Sequence, residues 1–243
     1  MTTPAETLQS RFPTRIHRLD LGEGLASIDL LAPVDPDSLL DDPVVEQRYK
    51  ADNYLPYWPI IWPSGLMLAE KILRSDSSPP ALPASAASGP NAPRVIELGC
   101  GLGTTGIAAG KRGWHVTFTD YDPEAIEFAG HNALRNGIPA DRIRAMHMDW
   151  RSPLDEKFSW VLASDVLYER RLHPILLGAV KALLAHQPEA QAWVSDPHRT
   201  SAEDFPVAAV AAGFKCRSVN LLGKNFAGGE QLGTLYILTW GVG

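Results

Sequence analysis

Apolar and polar residues alternate over positions 14–33, where Ile16, Leu19, Leu21, Leu25, Ile28 and Leu30 keep a rough two-residue beat around Gly22-Glu23-Gly24. That beat predicts two short strands meeting near the glycines. Residues 34–52 are acidic and polar and read as loop. An aromatic, proline-rich stretch follows, Tyr54-Leu55-Pro56-Tyr57-Trp58-Pro59-Ile60-Ile61-Trp62-Pro63-Ser64-Gly65. It opens a helix running to about residue 74, with Leu66, Leu68, Ile72 and Leu73 on its apolar face. Residues 75–93 then collapse to Ser, Pro and Ala, a composition that cannot bury enough apolar surface to pack. This stretch reads as a flexible surface insertion within one domain.

From residue 94 onward the apolar period switches repeatedly between two and 3.6. Strands are expected at 94–98, 115–119, 142–147, 159–164 and 191–195. Helices are expected at 104–112, at 123–136 with Gly137 at its C-terminal end, and at 172–186. Thr200 and Glu203 have capping-box spacing and predict a further helix to about residue 212. Two last strands, 215–222 and 232–240, are joined by a glycine-rich loop. Strands separated by helices imply an α/β fold with a mostly parallel, seven-stranded sheet ending in an antiparallel hairpin. The N-terminal strands form a short β extension, so the chain divides into residues 1–53 and a main domain over 54–243.

Composition narrows the function. At 243 residues, 45% hydrophobic and 21% charged, the chain is long and apolar enough to bury a sizeable core. A net charge of −6 argues against binding a nucleic-acid backbone, which calls for a basic face. No apolar run approaches the roughly 18 residues of a membrane span, and residues 1–20 lack the apolar core of a secretory signal. Cys100 and Cys216 lie far apart, with no His or Cys at ligand spacing, so neither a disulfide framework nor a zinc site is expected. A reducing cytoplasm is the default compartment, and a monomer is the working expectation.

Candidate chemistry centres on Glu97-Leu98-Gly99-Cys100-Gly101-Leu102-Gly103. Gly101-Leu102-Gly103-Thr104-Thr105-Gly106 also fits the G-x-G-x-x-G dinucleotide pattern, so the glycines alone do not choose a ligand. Glu97 does. At the end of a strand directly before the loop, its carboxylate would repel a pyrophosphate and suits a ligand with a cationic amino group and no phosphate. Asp120 closes the next strand, where a carboxylate can accept both hydroxyls of a ribose. Asp149, Ser164 and Asp196 also stand at or just past expected strand ends, where ligands of open α/β sheets bind.

On these residues the sequence resembles the class I, seven-strand, Rossmann-like methyltransferases that use S-adenosylmethionine (SAM) and release S-adenosylhomocysteine. Within them it is similar to methyltransferase family 16, the protein-lysine branch. The resemblance rests on Pro56-Tyr57-Trp58…Trp62-Pro63-Ser64-Gly65, on Glu97–Gly103, on Asp149-Trp150 and on Ser164-Asp165-Val166-Leu167-Tyr168, the D-x-x-Y signature of the branch. The first segment and Ser195-Asp196-Pro197-His198-Arg199 look most like the lysine methyltransferases of the electron-transfer flavoprotein β-subunit. Those enzymes usually read Asp-Pro-Gly-Arg where this chain has His198, and the insertion at 75–93 is also unusual.

The resemblance implies that Gly99, Cys100, Gly101 and Gly103 carry the methionine end of SAM, with Glu97 beside them. It also implies that Asp120 holds the ribose, that Trp150 packs near the adenine, and that Trp62 and Ser164 complete the pocket. Asp165 and Tyr168, three residues apart on a turn, are the expected catalytic pair. A lysine amine with a pKa near ~10.4 must lose its proton at a cost of about 4–5 kcal/mol at pH 7. A carboxylate can orient and relieve it, and a phenol face can stabilise the cation. The expected partner is a protein substrate, with neither nucleic acid nor membrane involved. Methylation of a small amine on the same fold, or SAM binding without catalysis, are the competing readings.

Overall fold

The computed structural model describes residues 8, 11–41, 43–52, 54–74 and 93–241. The expected insertion at 75–93 therefore lies outside the described residues, apart from Pro93.

Among the described residues the strands are β1 (Thr14–Leu19), β2 (Ile28–Pro33), β3 (Arg94–Leu98), β4 (His115–Asp120), β5 (Ile143–His147), β6 (Trp160–Ser164), β7 (Gln191–Asp196), β8 (Phe214–Lys224) and β9 (Glu230–Trp240). The α-helices that accompany them are α1 (Pro43–Asp52), α2 (Pro63–Arg74), α3 (Thr104–Lys111), α4 (Pro123–Arg135), α5 (His173–Leu183) and α6 (Phe205–Ala211).

The main sheet has seven strands in the order β5-β4-β3-β6-β7-β9-β8, and β1 and β2 pair separately as a two-stranded antiparallel sheet. β5, β4, β3, β6 and β7 run parallel, whereas β9 is antiparallel to both β7 and β8. The expected α/β class, seven strands, terminal hairpin and N-terminal β extension are all observed. Central strands covered on both faces read as nearly continuous apolar runs. Val95, Ile96 and Leu98 of β3 and Trp160–Ala163 of β6 are accordingly buried. Strand order reverses between β3 and β6, and at such a switch point the loops diverge and leave a crevice at the carboxyl ends.

α2 buries Leu66, Met67, Leu68, Ala69 and Ile72 against α3 and the β7–β9 side of the sheet. Its first turn is thereby placed at the carboxyl end of β6. The N-terminal hairpin packs on α4, where buried Asn132 accepts from the Leu31 amide at 2.7 Å and donates to the Leu31 and Leu102 carbonyls at 3.0 and 3.1 Å.

Two expectations need correction. Residues 34–52 are not loop, because a 3-10 turn (Asp37–Asp41) and α1 occupy them. α1 is polar all round and so gives no apolar stripe to detect. Arg48 ties it to the body: it lies 3.6 Å from Asp122 and stacks 3.5 Å from the Tyr54 ring centroid. The Thr200/Glu203 capping box does not form either. Residues Thr200–Ala202 make a 3-10 turn with no side-chain cap, and α6 starts only at Phe205.

Candidate active site

The crevice at the switch point is a cavity of about 260 Å³. The carboxyl ends of β3, β4, β5 and β6 line it from below, and residues 54–65 close one side.

The glycine loop follows β3 directly. Gly99, Gly101 and Gly103 take φ of 66°, 49° and 85°, left-handed values that cost a side-chain-bearing residue energy. At Gly101 a Cβ would also meet the Trp58 carbonyl oxygen at 2.9 Å. Gly99, Cys100 and Gly101 line the cavity as expected. Gly103 does not: a Cβ there would point at Ala129 and Phe118, so this glycine serves the packing of α3 on α4 rather than the ligand.

Glu97 is 1% exposed, and its Oε2 accepts from the Gly106 amide at 2.9 Å. Gly106 belongs to the first turn of α3, the helix N-terminus that receives a phosphate in nucleotide-binding folds. Here the protein's own carboxylate fills that position. Burial lifts the Glu97 carboxyl to about 8, with Asp120 adding to the rise while the Gly106 amide and Thr105 oppose it. A cation in the cavity would be paired by it; an anion would not.

Asp120 ties the loop to β4. One carboxylate oxygen accepts from Gly101 at 2.9 Å and the other from Asp122 at 3.0 Å. Burial raises this carboxyl too, against the pull of three backbone amides. Trp150 and Met148 line the wall beyond it, and a Cβ at Gly99 would meet the Trp150 ring at 3.4 Å. Asp149 is engaged elsewhere, in an ion pair with Arg151 at 2.6 Å. Tyr54, Tyr121 and Asp122 also line this end and went unassigned in the sequence. Asp122 accepts from Glu124 at 3.1 Å and from the Tyr54 hydroxyl, and burial pushes its carboxyl up to about 7.

At the opposite end, Asp165 sits just past β6 with φ 56° and is 5% exposed. Its Oδ2 accepts from the Ser64 amide (3.0 Å) and hydroxyl (2.6 Å); its Oδ1 accepts from Arg199 Nε (3.2 Å) and Nη2 (2.8 Å). Ser64 and Ser195 exchange hydroxyl-to-carbonyl bonds as well, joining α2 to β7. Both Asp165 oxygens are therefore committed within the protein, although the residue still lines the cavity. Tyr168 stands at the rim, 38% exposed, its phenol pushed up to about 12 by the crowding around it and by the charges of Glu169 and Asp120. Ser164 and Trp62 line the cavity; the Ser164 hydroxyl accepts from Thr105 at 3.3 Å, and Trp62 donates to the Tyr57 carbonyl at 3.1 Å.

His198 explains the departure from the Asp-Pro-Gly-Arg pattern. It adopts φ 64°, the left-handed conformation a glycine takes without strain, and its Nε2 lies 3.1 Å from the Thr234 hydroxyl. Arg199 and Ser64 are the partners of Asp165 that sequence reasoning missed. The Ser64-Gly65 and Asp196–Arg199 segments were both visible as motifs, but their convergence on one carboxylate was not.

A family model described as lysine methyltransferase matches residues 58–205, a span holding every lining residue of the cavity except Tyr54, Leu55 and Tyr57. The chain belongs to this family. EEF1A lysine methyltransferase 3 of Mus musculus is 36% identical over 93 residues, covering 37% of this chain and 40% of that protein. The calmodulin-lysine N-methyltransferase of Arabidopsis thaliana is 28% identical over 184 residues, covering 72% of this chain and 56% of that protein. The matches thus span about half the length of these relatives. Among solved structures, a ribosomal protein L11 methylase from Lactobacillus delbrueckii subsp. bulgaricus superposes with a TM-score of 0.52 at 21% identity, over 71% of this chain and 77% of that one. That likeness is one of fold.

The cavity's donor set fits SAM. Two carboxylates, Glu97 and Asp120, face the glycine loop, an indole forms the wall, and the helix N-terminus that would hold a phosphate is filled by Glu97. Among the described residues no three His, Cys, Asp or Glu side chains are grouped to hold a metal ion, and no helix is long and apolar enough to cross a membrane.

Proposed function

We propose that this chain is a SAM-dependent methyltransferase acting on a lysine side chain of a protein. The observation that carries the reading is the division of one cavity into two ends of different chemistry. Glu97 and Asp120 put two carboxyl groups at one end around the glycine loop, and Tyr57, Trp62 and Tyr168 make the other an aromatic rim. Family membership and the lysine acceptors named for the relatives support the same acceptor.

When bound, SAM supplies a methyl carbon on a cationic sulfur, open to in-line displacement by a neutral amine. Glu97 would pair the amino-acid ammonium of the cofactor. Asp120 would accept the ribose hydroxyls, and Trp150 would cover the adenine. Ser164 lies between the two ends of the cavity, where the acceptor nitrogen must approach. Asp165 acts as a positioning residue: with both oxygens committed, it fixes the turn that presents Ser164 and Tyr168. Tyr168, neutral across the physiological range, offers the acceptor its ring face. Partial desolvation at the rim lowers the acceptor's pKa, and its proton leaves to the solvent that reaches the exposed edges of Tyr57 and Tyr168.

The test is incubation of the purified chain with radiolabelled SAM and a cell extract, read on a gel beside the small-molecule fraction. A discrete protein band is expected, and hydrolysis of that band should yield methylated lysine. Label confined to the small-molecule fraction would replace the protein acceptor with a metabolite. Asp120→Ala should abolish SAM binding by calorimetry. Asp165→Asn should spare binding and lower turnover on the order of 100-fold; full turnover in this variant would remove Asp165 from the acceptor side.

A further inference from the structure

A short line of hydroxyls runs between the two ends of the cavity. Thr105, 0% exposed in the first turn of α3, sets its hydroxyl against the Glu97 carboxyl. Its Oγ1 also lies 3.3 Å from the Ser164 Oγ. Glu97 and Ser164 line the cavity, one beside the glycine loop and the other at the acceptor approach, whereas Thr105 does not line it. Gly65 roofs the pair: a Cβ there would stand 3.4 Å from the Ser164 oxygen and 4.0 Å from that of Thr105. The three groups belong to β3, α3 and β6, and only the fold brings them into line.

A hydroxyl carries one hydrogen and two lone pairs, so Thr105 can donate to Glu97 or to Ser164 but not to both. The state of Glu97 decides. As a neutral acid it keeps its own proton, Thr105 is free to donate to Ser164, and the Ser164 hydrogen is left to point into the cavity. As a carboxylate it takes the Thr105 hydrogen, because bonds to an ionised acceptor are the stronger ones. Thr105 then accepts from Ser164, and the Ser164 lone pairs face the cavity instead. Burial keeps Glu97 protonated up to about 8. The titratable groups facing it are Asp120 on β4 and the Cys100 thiol of the glycine loop, and neither carries a positive charge. Near neutral pH the change to a carboxylate therefore waits for a cation in the cavity.

We propose that Glu97, Thr105 and Ser164 form a reversible hydroxyl chain that reports an occupied cofactor end to the acceptor end. Thr105 is its positioning residue. The inference rests on the reading above for the identity of the cation and of the amine. With a cationic amino group beside Glu97, the glutamate proton leaves to solvent and each hydroxyl turns toward Glu97. The Ser164 oxygen then accepts an N–H of the acceptor, whose own lone pair stays free for the methyl carbon. With the cofactor end empty, the same oxygen presents a hydrogen, which a nitrogen rich in N–H donors does not pair with. No proton passes along the chain; its hydrogens rotate, and the backbone need not move. Cofactor binding thus prepares acceptor binding.

The test titrates the full chain with S-adenosylhomocysteine by calorimetry from pH 6 to 9, in wild type, Thr105→Val, Thr105→Ser and Ser164→Ala. Thr105→Val keeps the shape and removes a donor to the ionised Glu97, so its affinity profile should move to higher pH by about one unit. Thr105→Ser should return the profile to the wild-type position. Ser164→Ala carries the most weight, because Ser164 is joined to Glu97 through Thr105. A merely structural loss there lowers affinity equally at every pH, whereas a chain moves the profile up by about half a unit. A flat wild-type profile, or a Ser164→Ala profile at the wild-type position, overturns the chain. That readout stands alone if Thr105→Val is thermally unstable. Steady-state rates on the protein labelled in the gel assay give a second readout. Thr105→Val should raise the acceptor KM about fivefold and leave kcat within about twofold, since Ser164 holds the amine before and during transfer. An unchanged acceptor KM overturns the report to the acceptor end. If no protein is labelled, the lysine reading falls, and the pH profiles still judge the chain on their own.

Discussion

Glu97 holds a proton that its surroundings do not favour releasing until a cation arrives. Its carboxyl is raised by burial to about 8, whereas in the unfolded chain it titrates near the usual ~4.3. A raised acid favours the fold while it stays protonated. That contribution is fully present below the unfolded value and is lost as pH climbs through about 8. Binding a cationic amino group runs the other way, because it selects the ionised form. SAM affinity should therefore rise between pH 6 and 8, approaching about tenfold per unit at the steep part, with close to one proton released on binding. Calorimetry in buffers of different ionisation enthalpy measures that proton, and Glu97→Gln should flatten the profile. His198 makes a separate residue-scale prediction. With φ at 64°, alanine is strained there and glycine is not. Both His198→Gly and His198→Ala lose the Thr234 contact, so the glycine variant should be the more stable by about 1 kcal/mol in denaturant unfolding.

Among the elements, those with an apolar face could be read directly from the sequence. α2, α3, α4 and the strands β3, β4, β6 and β7 bury one stripe or both faces, and their periods announce them. α1 could not be read, because it buries no apolar stripe and is held by Arg48 on Asp122 and Tyr54. The cluster of Ser64, Asp165 and Arg199 was hidden for another reason. Its members lie 101 and 34 positions apart, and no local pattern records a meeting made by the crossover of the sheet. Asn132 shows how far one polar side chain reaches between elements: from α4 it holds both β2 and the glycine loop at Leu102. Asn132→Ala leaves three buried backbone groups without their partner, and should cost about 3 kcal/mol on thermal or denaturant unfolding. Because one of those groups is the Leu102 carbonyl, SAM affinity should fall as well. A variant that unfolds normally and binds normally would break that link.

Across the whole molecule the site follows from topology. Strand order reverses between β3 and β6, and the residues at their carboxyl ends, Glu97 and Ser164, stand on either side of that reversal. The G-x-G-x-x-G spacing left the ligand open, while the acidic residue before it narrowed the choice, and the structure supplies the reason: the carboxylate occupies the helix terminus a phosphate would need. Gly103 was misassigned because a glycine required for packing looks the same in sequence as one required for a ligand. The acceptor wall has a different origin from the cofactor floor. Tyr57 and Trp62 come from one contiguous stretch ahead of β3, tied to the sheet domain by the Ser64 anchor, by Trp58 packed on Phe128 and by the Tyr54 hydroxyl on Asp122. On the proposed reading, the acceptor wall is encoded by residues 57–62 together with Tyr168, and the cofactor floor by the glycine loop and Asp120. Variation at the first few codons would refit the acceptor end while the methyl-donor half is inherited intact.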